Sequence, residues 1–117
     1  MIDQILKDLI SSLTGAQAAI FLDGEGESIS QAGDLAVDMR LIGAWKEIQL
    51  DRIKEITGRL GLGNIHAVLF SLDEGIELVM PVGEDYCLLL FLSAYANIQD
   101  AMSGLKHSLE KLKKEIA

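Results

Sequence analysis

Apolar residues recur at helical spacing in three stretches of the chain, and alternate or run unbroken in five others. Ile2, Ile5, Leu6, Leu9, Ile10 and Leu13 fall on one helical face, with Asp3, Lys7, Ser11 and Ser12 on the other. This predicts an amphipathic helix that stops near Gly15. Ala16 to Asp23 reads as a strand. Ala18, Ile20 and Leu22 point one way, Ala19 and Phe21 the other, so both of its faces are covered. Asp23-Gly24-Glu25-Gly26 is a turn, with an Asp-Gly pair that favours positive φ. Glu27 to Ala32 returns as a more polar strand. Its one large apolar residue, Ile29, is surrounded by Glu27, Ser28, Ser30 and Gln31, which suits a sheet edge.

Three more strands follow a long helix. Ile65 to Leu72 is apolar on both faces apart from His66 and Ser71, and His66, beside apolar strand residues, reads as a satisfied structural histidine. Asp73-Glu74-Gly75 turns into Ile76 to Val82, where Pro81 ends pairing on one edge or marks an irregularity. Gly83-Glu84-Asp85 turns again into Tyr86 to Ser93, apolar on both faces and expected at the sheet centre. Asn97 caps a last helix, with Asp100 three residues on and Lys106, Lys111, Lys113 and Lys114 enriching its later turns.

The long helix, from about Asp38 to Leu60, is apolar around too much of its circumference. Asp34 or Asp38 is its N-cap, and Gly58, Gly61 and Gly63 mark its end. Leu35, Met39, Ile42, Ile53, Ile56 and Leu60 form one stripe, assigned to the sheet. Val37, Leu41, Ala44 and Ile48 form a second, with Trp45 at the seam. A surface helix needs one apolar face of roughly 100° or a little more. The order is helix, two strands, helix, three strands, helix, which makes a mostly antiparallel five-stranded sheet. Strands apolar on both faces require helices on both sides, giving an α/β (α+β) fold in three αβα layers. The first and last helices cover one face together. The second is left alone on a sheet roughly 24 Å wide, of which one helix about 10 Å across covers less than half. A two-fold copy completes that layer. Its 65–72 strand pairs with this one and hides an apolar edge. The expected dimer interface is therefore Val37, Leu41, Ala44, Trp45 and Ile48 on the helix and Ala67 and Leu69 on the strand. Arg40, Glu47, Asp51 and Lys54 form the helix's wet face, where a third protein binds.

Totals narrow the function. The length of 117 residues suits one domain, and half are hydrophobic; mean hydropathy is +0.29. A net charge of −8 repels nucleic-acid phosphates and anionic membranes. The single cysteine, Cys87, forms no internal disulfide and reads as a small buried hydrophobe, which favours the cytoplasm. Asp3 and Asp8 leave no basic start for a signal peptide, and no apolar run approaches the roughly 20 residues that span a bilayer.

The element order resembles the roadblock (dynein light chain) family. So does the run Thr14-Gly15-Ala16-Gln17-Ala18-Ala19-Ile20-Phe21-Leu22-Asp23-Gly24-Glu25-Gly26, which is similar to that family's opening segment. Gly61-Leu62-Gly63 matches its usual turn after the second helix. Tyr86-Cys87-Leu88-Leu89-Leu90-Phe91-Leu92 resembles its central strand before an Asn-led helix. Ile98-Gln99 departs from the Leu-Gly often found there. The resemblance covers essentially the whole chain and implies a profilin-like fold. It implies a regulator or scaffold of small Ras-like GTPases, or a subunit of a larger complex, that dimerises with paired second helices and a continuous sheet.

Enzyme chemistry finds no foothold. There is no Gly-x-x-x-x-Gly-Lys-Ser/Thr. The glycine-rich Gly58–Gly63 run follows a helix, whereas a phosphate cradle follows a strand and opens one. His66 and His107 lie far apart with no cysteine pair, so no metal site is expected. Asp23, Glu25 and Glu27 read as a solvated hairpin turn rather than a cation site. Ser28 and Ser30 lack a base partner. Arg40 and Arg52 sit on a regular helix, unlike an arginine finger. The expectation is a non-enzymatic homodimer without cofactor that binds a small Ras-like GTPase. The alternatives are a structural adaptor in a larger complex and a small-ligand sensor.

Overall fold

The computed structural model describes residues 1–33 and 39–116, and the side chains of all of these except residues 39–47. The elements are α1 (Ile2–Ser12), β1 (Ala16–Leu22), β2 (Ser28–Gly33), α2 (Met39–Arg59), β3 (Val68–Leu72), β4 (Gly75–Val82), β5 (Tyr86–Leu92) and α3 (Ile98–Ile116). This is the expected order. Tight turns between sequential strands force antiparallel pairing, and every pairing in the sheet is antiparallel, in the order β2-β1-β5-β4-β3. The unbroken apolar run of β5 stands at the centre, where both of its faces are buried.

One face packs under α1 and α3. Leu6 and Leu9 of α1 and Leu105 and Leu112 of α3 meet Phe21, Leu78, Leu88 and Leu90 of the sheet. The other face carries Ala18, Ile20, Leu22, Val79, Leu89, Phe91 and the buried Cys87, with Leu50 of α2 against them. Among the described residues no helix is long and apolar enough to cross a membrane.

The polar strand β2 stands at a sheet edge as expected, and three local details add to the sequence reading. In β2 it is Ser30 and Ala32 that are buried, while Ile29 is exposed. Plain alternation along the strand is the cause, with Ser30 and Ala32 on the α1/α3 side and Ile29 and Gln31 on the other. Phe21 pairs with Ser30 and Leu22 with Ser28, a register shift that leaves Ile29 without an opposite residue on β1. The Ser30 hydroxyl then donates to the Asp3 carboxylate of α1. In the β1–β2 turn positive φ falls on Gly26, at 81°, rather than on Gly24. The Asp23 carboxylate accepts the N–H groups of Glu25 and Glu27 at 2.9 and 3.0 Å, so this acid organises its own turn. Finally, β3 starts at Val68 rather than Ile65. Its ladder with β4 runs to the pair Val68–Val79. Continued, it would set His66 opposite Pro81, which has no N–H to donate.

The helix ends follow their signals. Leu62 N–H donates to Thr57 O and Gly61 N–H to Gly58 O, the two bonds of a Schellman cap. Gly61 occupies the left-handed position, with φ 67°. Asn97 Oδ1 accepts the Asp100 N–H at 3.1 Å and caps α3. The N-cap of α2 expected at Asp34 or Asp38 lies outside the described residues.

Candidate interaction surface

The face that α2 turns to the sheet is set by one residue. Leu50 is 1% exposed, and Ile53, Lys54 and Thr57, three to seven positions on, are half-buried. These spacings share one helical side. Ile56 and Leu60, expected on the sheet side, are 56% and 66% exposed. At roughly 100° per residue they stand about 120° and 80° away from Leu50. Ile48 is also 56% exposed. Ile48, Ile56 and Leu60, with exposed Leu62 just beyond the cap, therefore form one outward apolar stripe. Leu35 and Val37 lie outside the described residues, as do the side chains of Met39, Arg40, Leu41, Ile42, Ala44, Trp45 and Glu47.

Strand β3 stands at one edge of the sheet among the described residues. Leu69 pairs with Leu78, so it sits on the α1/α3 side. It is still 43% exposed, because β3 extends past the cover of those helices. Ala67 packs partly against the same side. The two expected interface residues of this strand thus lie on the sheet face opposite α2. On the α2 side stand Val68 and Phe70, both half-buried, and Leu72 is exposed. Val68 and Phe70 pack partly against the cluster that holds Leu50 of α2. Alternation from Val68 through Phe70 to Leu72 was the available signal for these residues.

The charged residues divide. Asp51 and Arg52 are exposed, and Arg59 pairs with Glu55 at 2.7 Å one turn away. Lys54 does not share their wet face. It is half-buried and lines a cleft with His66 and Lys113 at the C-terminal end of α2. His66 is exposed there rather than enclosed in a strand. Sequence reasoning missed this cleft because its residues come from α2, the segment before β3, the β4–β5 turn and α3.

No protein-family model and no curated protein matches the chain. Solved structures do. A Roadblock/LC7 domain from Streptomyces avermitilis superposes with TM-score 0.90 at 16% identity, covering 97% of this chain and 96% of that one. Myxococcus xanthus MglB superposes with TM-score 0.92 at 15% identity, covering 98% and 94%. MglC from Myxococcus xanthus gives TM-score 0.67 at 24% identity over 98% and 99%. At these identities the likeness is one of architecture, and it agrees with the element order, the all-antiparallel sheet and the helices on its two faces: the chain has the Roadblock/LC7 fold.

Proposed function

We propose that this protein is a non-enzymatic homodimer that binds a small Ras-like GTPase in the cytoplasm and regulates its nucleotide state. The observation that carries the dimer is the outward stripe of Ile48, Ile56 and Leu60, next to a sheet that has β3 as its edge strand among the described residues. Three large apolar side chains more than half exposed along one helix are costly to leave in water. A two-fold copy covers them with their own equivalents, and an antiparallel β3–β3 pairing satisfies that edge strand. An isologous dimer serves both needs with one surface.

The GTPase rests on the family resemblance of the sequence, which implies regulators or scaffolds of such proteins. Regulation then works by population. A protein that binds one nucleotide state of the GTPase better shifts the GTPase toward that state and orders catalytic groups the GTPase already owns. The exposed Asp51, to one side of the stripe, remains available to such a partner after dimerisation, whereas Arg52 falls in the Ile48–Ile56 row itself.

The test is a pull-down against the Ras-like GTPases of the same genome, loaded with a GTP analogue or with GDP, followed by turnover of any that binds. Preference for one state with a change in turnover supports regulation. Binding without a change in turnover reduces the role to an adaptor, and no binding in either state sinks the GTPase assignment.

A further inference from the structure

We propose that the cleft at the C-terminal end of α2 binds a soluble small molecule through a phosphate group. The cleft encloses about 540 Å³, within the roughly 300–1,000 Å³ of small-molecule sites. Three basic side chains line it, Lys54, His66 and Lys113, against one acid, Glu84. In a chain with 18 acidic residues against 10 lysines and arginines, this local balance is reversed. Among the described residues none of the three pairs with a carboxylate.

Basic residues near helix ends also complement the negative end of the helix dipole. That role suits Lys113 in the last turn of α3. It does not suit Lys54, which stands more than a turn before the end of α2. The closing carbonyls there are already bonded, Thr57 O by Leu62 and Gly58 O by Gly61. Among the described residues this half-buried lysine has no carboxylate partner and no helix end to complement, and it lines a space it does not fill.

The other wall supplies close approach. A Cβ at Gly58 or Gly63 would meet nothing within 4 Å, so the backbone itself is accessible to a ligand. Among the described residues the N–H groups of Gly63 and Asn64 donate to no backbone carbonyl. A phosphate takes charge-assisted bonds from lysine and histidine, and further bonds from backbone N–H groups in a concave turn. The glycine-rich run that stops α2 in sequence thus gains a second use from the fold. Lys54 and Ile48 lie on different sides of α2, so the cleft stays open in the proposed dimer.

The experiment is a ¹H–¹⁵N NMR titration of the whole chain with inorganic pyrophosphate at constant ionic strength. Saturable shifts are expected at Gly58, Gly63 and Asn64. Lys54→Gln and Lys113→Gln should each weaken binding about tenfold, and Lys111→Gln, at an exposed position outside the cleft, should leave it unchanged. Should Lys54→Gln fail to fold, Lys113→Gln at its exposed position carries the comparison alone. A triglutamate peptide is the second probe, expected to bind at least about tenfold more weakly. Shifts that never saturate or that spread over exposed lysines overturn the proposal. So does equal affinity for triglutamate, which would mean that the cleft reads charge alone, and so does unchanged binding by Lys113→Gln.

Discussion

Replacing Ile56 by aspartate puts a carboxylate in the outward stripe of α2, eight residues after Ile48 and four before Leu60. The site is 56% exposed in the single chain, so the fold itself loses little; an exposed helical aspartate costs about 0.5 kcal/mol in propensity. The dimer loses far more. Fully burying an isoleucine side chain is worth roughly 1.5–3 kcal/mol, and about half of that remains to be gained when a partner covers Ile56. Two-fold symmetry counts the loss twice, giving about 2–3 kcal/mol. Desolvating two facing carboxylates adds at least a further ~2 kcal/mol. A total of at least about 4 kcal/mol weakens dimerisation by roughly three orders of magnitude.

Sedimentation velocity over a dilution series reads this directly, with circular dichroism as the check on folding. The wild type is expected as a dimer at concentrations where Ile56→Asp is a folded monomer. Lys111→Asp on the exposed side of α3 is the control, and it should dimerise like the wild type. An Ile56→Asp protein that dissociates at the wild-type concentration would refute the assignment of this stripe, and a wild type that is monomeric throughout would refute the dimer.

Other substitutions test how the elements are held. Leu50→Ala removes the α2 side chain buried against β1 and β5 and should cost about 2–5 kcal/mol in urea unfolding, with the higher values if the cavity fails to collapse. Gly61→Ala forces a Cβ into the left-handed position of the α2 cap and should cost about 1–2 kcal/mol by the same assay; a neutral result would mean that the cap rearranges. Asn97→Ala removes the acceptor for the Asp100 N–H and should lower stability by about 1 kcal/mol, with faster amide exchange confined to the first turn of α3.

Much of this architecture was legible because local signals and burial agree. Gly15, Gly61 and Asn97 sit at helix ends where their chemistry requires them. The two-faced apolar strands β1 and β5 pair at the sheet centre. What was not legible depends on events between elements. The burial of Ser30 rather than Ile29 follows from which face of β2 meets α1, a choice that no spacing in β2 announces. The early end of β3 follows from Pro81, a residue on another strand. The cleft lined by Lys54, His66 and Lys113 exists only once four separate segments meet.

The rotation of α2 is the instructive case. A helix with apolar residues on two sides has two self-consistent ways to face its sheet, and periodicity alone does not choose between them. Ile53, Ile56 and Leu60 form as good a stripe as Leu50, Ile53 and Thr57. The sheet chooses, because Leu50 fits among Ile20, Val79 and Leu89 with its side chain fully buried. That choice turns Ile56 and Leu60 outward and, by the same rotation, carries Lys54 from the charged outer face into the cleft. Two departures from the sequence expectation therefore have one cause. Among the described residues the outward row runs from Ile48 through Ile56 to Leu60, about 18 Å along the helix axis. Among the described residues, Ile56 and Leu60 thus join Ile48 on the outward face, the surface that the proposed second chain would cover.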